Sequence, residues 1–273
     1  SNSSAASDVY KRQHKGRMQE HMKMKRIQKI EEYIQEHKHV SLNELCTYFN
    51  VSKNTIRRDI QYLETEGLLE KVYGGVIAAN SQLIPFESRT IENKLQKELI
   101  AAKAASLIEE NDLIFIDSGT TTSHLLDSVS SAIHFTVLTN NLDIINSAAT
   151  MTNINLVVVG TTFKRRTRSF VELSEESFLS RYNINKAFMA ATGVSIAHGL
   201  TNSDPLEYEI KKWISAKTNQ LYLLADLTKF DKSTLLTYLE LSNIDGLITT
   251  NMLPHEYQHF CKQHHIPIYY PLT

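Results

Sequence analysis

Two clusters of residues in this 273-residue chain have types and spacing that can do chemistry. The first is Val51-Ser-Lys-Asn-Thr-Ile-Arg-Arg-Asp-Ile60. As a helix it sets Ile56, Ile60 and Leu63 at i, i+4 and i+7 toward a core, which leaves Lys53, Asn54, Arg57, Arg58 and Gln61 outward. Those side chains donate to phosphates and to base edges. The second cluster is Asp117-Ser-Gly-Thr-Thr-Thr122, directly after the apolar run Leu113-Ile-Phe-Ile116. Gly119 permits close backbone approach, and three hydroxyls at a helix start make a cradle for an anion such as a phosphate. Ser/Thr-Gly loops also merely cap helices, so the loop by itself leaves both readings open.

The elements that must position the first cluster are legible on either side of it. Ile27, Ile30 and Ile34 recur at helical intervals in Arg26–Glu36. Ser41-Leu-Asn-Glu44 is a capping box that starts a second, short helix carrying Leu42, Leu45 and Phe49. Asn50-Val51-Ser52 reads as a turn and a further N-cap. Gly67 is expected to end the third helix as a left-handed cap, and Leu68–Val72 pairs with Val76–Ala79 around Gly74-Gly75. Residues 23–79 thus read as a winged helix-turn-helix, with Asp59 bracing Arg57, Arg58 or a neighbouring helix.

Residues 80–92, with Pro85, read as a linker, and 93–273 as one α/β domain. A helix carrying Leu99, Ile100, Ala104, Leu107 and Ile108 precedes the first strand. The Asp117–Thr122 loop leads into a helix with Leu125 and Leu126. Strands are expected at Phe135–Leu138, Leu156–Val159, Ala187–Ala190, Leu221–Ala225, Gly246–Thr250 and Ile266–Tyr270, in a largely parallel sheet. Ligands of such sheets bind off the carboxyl ends of the strands. Thr139-Asn140-Asn141, Gly193, Gly199-Leu-Thr-Asn202, and Asp226 with Lys229 all fall there, and their convergence favours a binding site.

Charge divides the same way. Residues 10–80 carry 13 Lys/Arg against 9 Asp/Glu, and residues 81–273 carry 16 against 20. A basic end is joined to a mildly acidic body. Ser1–Ser7 reads as a tag remnant, and Tyr10–Arg17 as a disordered basic tail or an arm that tracks phosphates, so 1–22 stand outside the fold. No apolar run reaches a membrane span, and Cys46 and Cys261 read as free thiols in a reducing compartment, so the expected location is cytoplasmic with no membrane partner. His198 and His264-His265 lack ligand-like companions, so neither a metal nor a cofactor is expected. Lys164-Arg-Arg-Thr-Arg168 reads as a solvated loop or a subunit contact before a second phosphate clamp.

The stretch Ser52-Lys-Asn-Thr-Ile-Arg-Arg-Asp-Ile60 with the Gly74-Gly75 wing resembles the DeoR family of bacterial transcriptional regulators. That family's pattern there is Ser-x-x-Thr-[Ile/Val]-Arg-Arg-Asp-Leu, then a basic residue before Gly-Gly. The resemblance adds Ser52, Thr55, Lys71 and the wing residues Tyr73, Gly74 and Gly75 to the DNA-binding set, with Tyr73 standing where the family commonly has His. Asp117-Ser-Gly-Thr-Thr121, Thr139-Asn140, Gly199-Leu-Thr201 and Asp226-Leu-Thr-Lys-Phe230 are similar to the effector domain of the same family. That likeness implies a fold related to ribose-5-phosphate isomerase, with Asp117, Ser118, Gly119, Thr120 and Thr121 on the phosphate and Asn140, Gly193 and Lys229 lining the rest. Gly160-Thr161 and Thr192-Gly193 depart from the family's Gly-Gly and Asp-Gly. The second departure removes a carboxylate that would serve as a base or bind a sugar hydroxyl.

The implied function is a repressor of a carbohydrate catabolic operon that leaves double-stranded operator DNA when a phosphorylated sugar binds, without catalysis. The alternative is a sugar-phosphate isomerase fused to a DNA-binding domain, which requires turnover of the ligand. One recognition helix reads only a few base pairs, so a homodimer or homotetramer is expected.

Overall fold

The structure, a computed structural model, describes residues 23–37, 39–65, 68–72, 74–78, 86–165, 167–172 and 181–271. The chain divides between Leu83 and Ile84 into two compact units.

In the first unit, helix α1 (residues 23–37) buries Ile27, Ile30 and Ile34. Strand β1 (His39–Val40) leads to α2 (Leu42–Phe49), where both bonds of the Ser41/Glu44 capping box form. Asn50 ends α2 in the left-handed conformation at φ 50°, a backbone that asparagine tolerates. The Ser52 hydroxyl then accepts the Thr55 amide at 3.2 Å and starts α3 (Lys53–Thr65). The buried face of α3 is Ile56, Asp59, Ile60 and Leu63.

Asp59 does not brace Arg57 or Arg58. Its carboxylate accepts both Nε (2.7 Å) and Nη2 (3.2 Å) of Arg26 on α1, so the neighbouring helix is its partner. Strands β2 (Leu69–Val72) and β3 (Gly75–Ala78) pair antiparallel. The wing has a third strand that the sequence did not reveal, because β1 pairs with β3 through Val40 and Val76. Gly75 makes room for it: a Cβ there would lie 2.3 Å from the Val40 carbonyl oxygen. Gly67 and Tyr73 lie outside the described residues.

The second unit opens with helix α4 (Phe86–Ile91), which stands where a linker was expected. Next come α5 (Lys94–Ala105), β4 (Leu113–Ile116) and a seven-residue 3₁₀ helix at Thr122–Ser128. Strand β5 (Phe135–Thr139), α6 (Leu142–Ala148), β6 (Ile154–Val158) and the antiparallel hairpin β7 (Thr162–Lys164) and β8 (Ser169–Val171) follow. Beyond them lie β9 (Lys186–Met189), β10 (Gly193–Ser195), β11 (Gly199–Asn202), α7 (Pro205–Lys217), β12 (Gln220–Leu224), β13 (Leu236–Leu239), β14 (Gly246–Ile248), α8 (His255–Gln263) and β15 (Ile268–Tyr269).

Seven strands form one sheet in the order β15-β14-β12-β9-β4-β5-β6, and every pairing in it is parallel. Strands β10, β11 and β13 make a small antiparallel sheet. Alternate residues of the main sheet enter two cores. Phe115, Ala187, Met189, Leu221 and Leu223 pack with Ile210 and Ile214 of α7 and Tyr257 and Cys261 of α8. Ile114, Ile116, Phe188 and Leu224 pack with Ile100 and Ala104 of α5, Leu125 and Leu126, and Ile144 of α6. A parallel sheet covered on both faces explains why its strands read as continuous apolar runs.

The basic run 164–168 is not a uniformly solvated loop. Lys164 is almost buried and pairs with Asp204, while Arg168 pairs with Asp143. Arg165 is exposed, and Arg166 lies outside the described residues. Charge counting in the sequence could not foresee carboxylates supplied by other segments.

Candidate functional site

On α3, Lys53, Asn54, Arg57, Arg58 and Gln61 are all exposed on the face opposite the buried Ile56, Ile60 and Leu63. Ser52 and Thr55 are tied to each other, hydroxyl to hydroxyl, at 2.9 Å. They hold the helix start more than they offer donors. On β2, Lys71 is exposed and donates to Gln61 Oε1 at 2.9 Å and to Glu64. Gly74 turns the wing at φ 88° and is exposed, whereas Gly75 is buried under β1.

In the second unit, strand order grows outward in opposite directions from the β4/β9 pair. The loops after these two strands therefore separate and leave a crevice at a topological switch point, where open α/β sheets bind ligands. A narrow cleft lies there. Ser118, Gly119, Thr120 and Thr121 from the loop after β4 form one wall and Ala190, Ala191 and Thr192 from the loop after β9 the other. Arg89, Asn202, Glu207, Lys211 and Lys229 complete the lining, with Leu224. A wider hollow of about 310 Å³ lies elsewhere, near His198, Lys232 and Glu256. Apart from Ser195 and the buried Tyr257 its lining residues are exposed, so it lacks the converging buried polar groups of the cleft.

The cleft explains its own loop. Gly119 is required by close approach, since a Cβ there would lie 2.3 Å from the Ala190 Cβ across the crevice. Thr122 donates to the carbonyls of Asp117 (2.6 Å) and Gly119 (2.9 Å). Its hydroxyl is thus turned inward, and the segment it opens is a 3₁₀ helix instead of the expected α-helix. Asp117 is wholly buried: Oδ2 accepts the Ala190 amide at 2.9 Å and pairs with Lys211. Asp117 and Thr122 shape the cradle from behind, and Ser118, Gly119, Thr120 and Thr121 face the cleft.

Asn140 is buried and donates to the Phe170 carbonyl at 3.2 Å, and Gly193 stands on β10 against the Lys232 backbone. Neither is among the cleft lining. Lys229 is, at the end of the 3₁₀ turn that Asp226 caps through the Thr228 amide.

Arg89 and Lys211 of the cleft lining, and Lys97 buried outside that lining, were not picked out in the sequence, whereas Asn202 was. Glu207 sits in the first turn of α7, where it accepts Ser118 Oγ (2.9 Å), Ser169 Oγ (2.7 Å) and Asn202 Nδ2 (3.3 Å). Burial, then the neighbouring Asp204, pushes its carboxyl above the usual range. Lys97 is buried on α5, and its amine donates to the Arg89 carbonyl. Burial first, then the charge of Lys229, lowers its pKa to about 8 although Asp226 opposes the shift. Burial likewise lowers Lys229. The spacing Glu207-x-x-x-Lys211 puts both on one helix face and was the available signal; Arg89 was hidden inside the presumed linker.

One unit thus presents a helix-turn-helix with a wing and the other a ligand cleft, the build of a regulator that reads DNA and senses a small molecule. Residues 26–82 match the DeoR-like helix-turn-helix domain and residues 92–251 the DeoR C-terminal sensor domain. The chain belongs to the DeoR family of transcriptional regulators. It is 54% identical over 249 residues to the HTH-type transcriptional regulator IolR of Bacillus subtilis, covering 91% of this chain and 99% of that one. It is 29% identical over 239 residues to the L-fucose operon activator of Haemophilus influenzae, covering 87% and 96%. Among solved structures, a D-ribose-5-phosphate isomerase in complex with phospho-erythronic acid aligns over 50% of this chain and 54% of its own, at 16% identity and a TM-score of 0.36. The chain is a DNA-binding transcriptional regulator and not an enzyme. No helix among the described residues is long and apolar enough to cross a membrane.

Proposed function

We propose that this regulator represses a carbohydrate catabolic operon, that of inositol, and that a phosphorylated sugar in the strand-end cleft releases it from double-stranded operator DNA. The observation that carries the reading is the cleft itself: backbone and hydroxyl donors of Ser118–Thr121 at the β4/β9 switch point, faced by Arg89 and Lys229. Donors and cations fit a phosphate. Asn202 and Thr192, polar side chains of the same lining, fit the hydroxyls of a sugar. The inositol assignment is supported by Arg26-Ile-Gln-Lys-Ile-Glu-Glu-Tyr-Ile34 with Glu70-Lys-Val-Tyr-Gly-Gly-Val76, which is similar to the repressor of myo-inositol catabolism, and by the identity to IolR. The protein acts in the cytoplasm as a homodimer or homotetramer.

Thermal denaturation with a panel of phosphorylated and plain sugars tests the ligand class, because a ligand of the native state raises the melting temperature. The stabilising phosphate ester is then titrated into the complex with a promoter fragment of the inositol catabolic operon. Release of DNA with the ester recovered unchanged is expected. Conversion of the ester, or stabilisation by plain sugars alone, would overturn the reading.

A further inference from the structure

The exposed face of α3 holds one side chain whose recognition chemistry is set from the wing. A glutamine in the major groove normally reads adenine with both ends of its amide, the oxygen accepting from N6 and the nitrogen donating to N7. In this chain the oxygen is already used. Lys71 Nζ donates to Gln61 Oε1 at 2.9 Å. A lysine ammonium carries three donors and no acceptor, so only the amide oxygen can face it, and the orientation of Gln61 is chemically determined. Glu64, on the same helix, pairs with the same amine and holds it over α3. Lys71 is anchored in turn by its place in β2, opposite Val76 of β3. The remaining end of Gln61, Nε2 with two N–H donors, has no hydrogen-bond partner among the described residues. It lies one turn beyond Arg57 and Arg58 on the same exposed face.

We propose that Lys71 of the wing strand fixes the Gln61 amide so that α3 offers only donors at this position and selects guanine over adenine. Guanine presents two acceptors, N7 and O6, to the major groove, whereas adenine presents N7 beside the N6 donor. A donor-only amide satisfies the first pair and meets an unmatched donor in the second. Lys71 is thus a positioning residue for base selection, distinct from a contact to phosphate, which would carry no sequence information. The proposal rests on α3 being the helix that enters the groove.

The test is selection of binding sites from a random duplex pool by the full-length chain, with sequencing of the bound fraction at fixed salt. The proteins are wild type, Gln61→Ala, Lys71→Met and Arg58→Ala; methionine keeps the length of the lysine stem without its donor. Wild type is expected to take guanine about tenfold over adenine at one position of each half-site. Gln61→Ala should erase the preference at that position alone, and Lys71→Met should turn it toward adenine. A motif unchanged by Lys71→Met, with affinity lowered equally for all sequences, would mean a phosphate contact and overturn the proposal. So would a Gln61→Ala motif identical to wild type. If Arg58→Ala still alters the motif in that case, the helix reads DNA and only the proposal fails. If no variant alters it, the reading helix falls as well.

Discussion

Lys97 is the residue whose burial has the clearest consequence. Its folded pKa of about 8 lies below the free value of 10.5, so the folded protein gives up this proton as pH rises through about 8. Below that pH the buried charge costs stability, and the cost is relieved between 8 and 10.5 as the folded form becomes neutral. Lys97 does not line the cleft, but an anion held at Lys229 and Arg89 favours its charged form through space, so phosphate-ester binding should be tighter below pH 8 and weaken above it. Calorimetric titration at pH 7 and pH 9 is expected to show at least a severalfold loss of affinity for wild type. Lys97→Met should flatten that dependence and weaken binding while leaving the melting temperature equal or higher; a melting temperature that falls by several degrees would mean the amine serves packing. Lys229→Ala should weaken the response without changing operator affinity. Gly119→Val is a poorer probe, because its side chain meets Ala190 and disturbs the loops whatever the ligand does. At this scale the donor loop and Lys229 were legible from residue type and position after a strand. Arg89, Lys97 and Lys211 were not, since their roles depend on which segments the fold brings beside them.

Among elements, α2 and α3 were readable because their signals are local: a capping box, an asparagine turn, a serine cap and a stripe of isoleucines. What failed was non-local or very short. Strand β1 has two residues and pairs only along the edge that β3 offers it, and the seven-residue segment after Thr121 is 3₁₀ where its leucines read as α-helix. The Arg26–Asp59 pair belongs to this class, joining positions 33 residues apart. Asp59 is 1% exposed, so removing its partner leaves a carboxylate without compensation between α1 and α3. Arg26→Ala is therefore expected to destabilise the first unit by about 3 kcal/mol. The double change of Arg26 and Asp59 to Met and Leu should recover most of it, because an apolar pair of similar volume can replace a buried ion pair. Denaturant unfolding of the three proteins checks this; a neutral Arg26→Ala would show that solvent compensates Asp59.

For the whole molecule, the two units make linkage the mechanism. If the ligand prefers the state that fits DNA poorly, it lowers operator affinity by the factor by which operator lowers its own. A coupling of about 1–3 kcal/mol corresponds to roughly 5–150-fold. One α3 spans few base pairs, so the proposed homo-oligomer is expected to place two copies on a repeated half-site about one helical turn apart. Light scattering of the full chain with and without operator should therefore give a dimer or tetramer, and a half-site duplex should bind far more weakly than the full one. Ligand affinity is then measured with and without saturating operator, and operator affinity with and without saturating ligand. The two ratios must agree for wild type, and ligand at the concentration that saturates wild type must leave operator affinity unchanged for Lys229→Ala if its ligand binding is lost. Equal ligand affinity in the presence and absence of operator would sink the regulatory reading while leaving both binding sites intact.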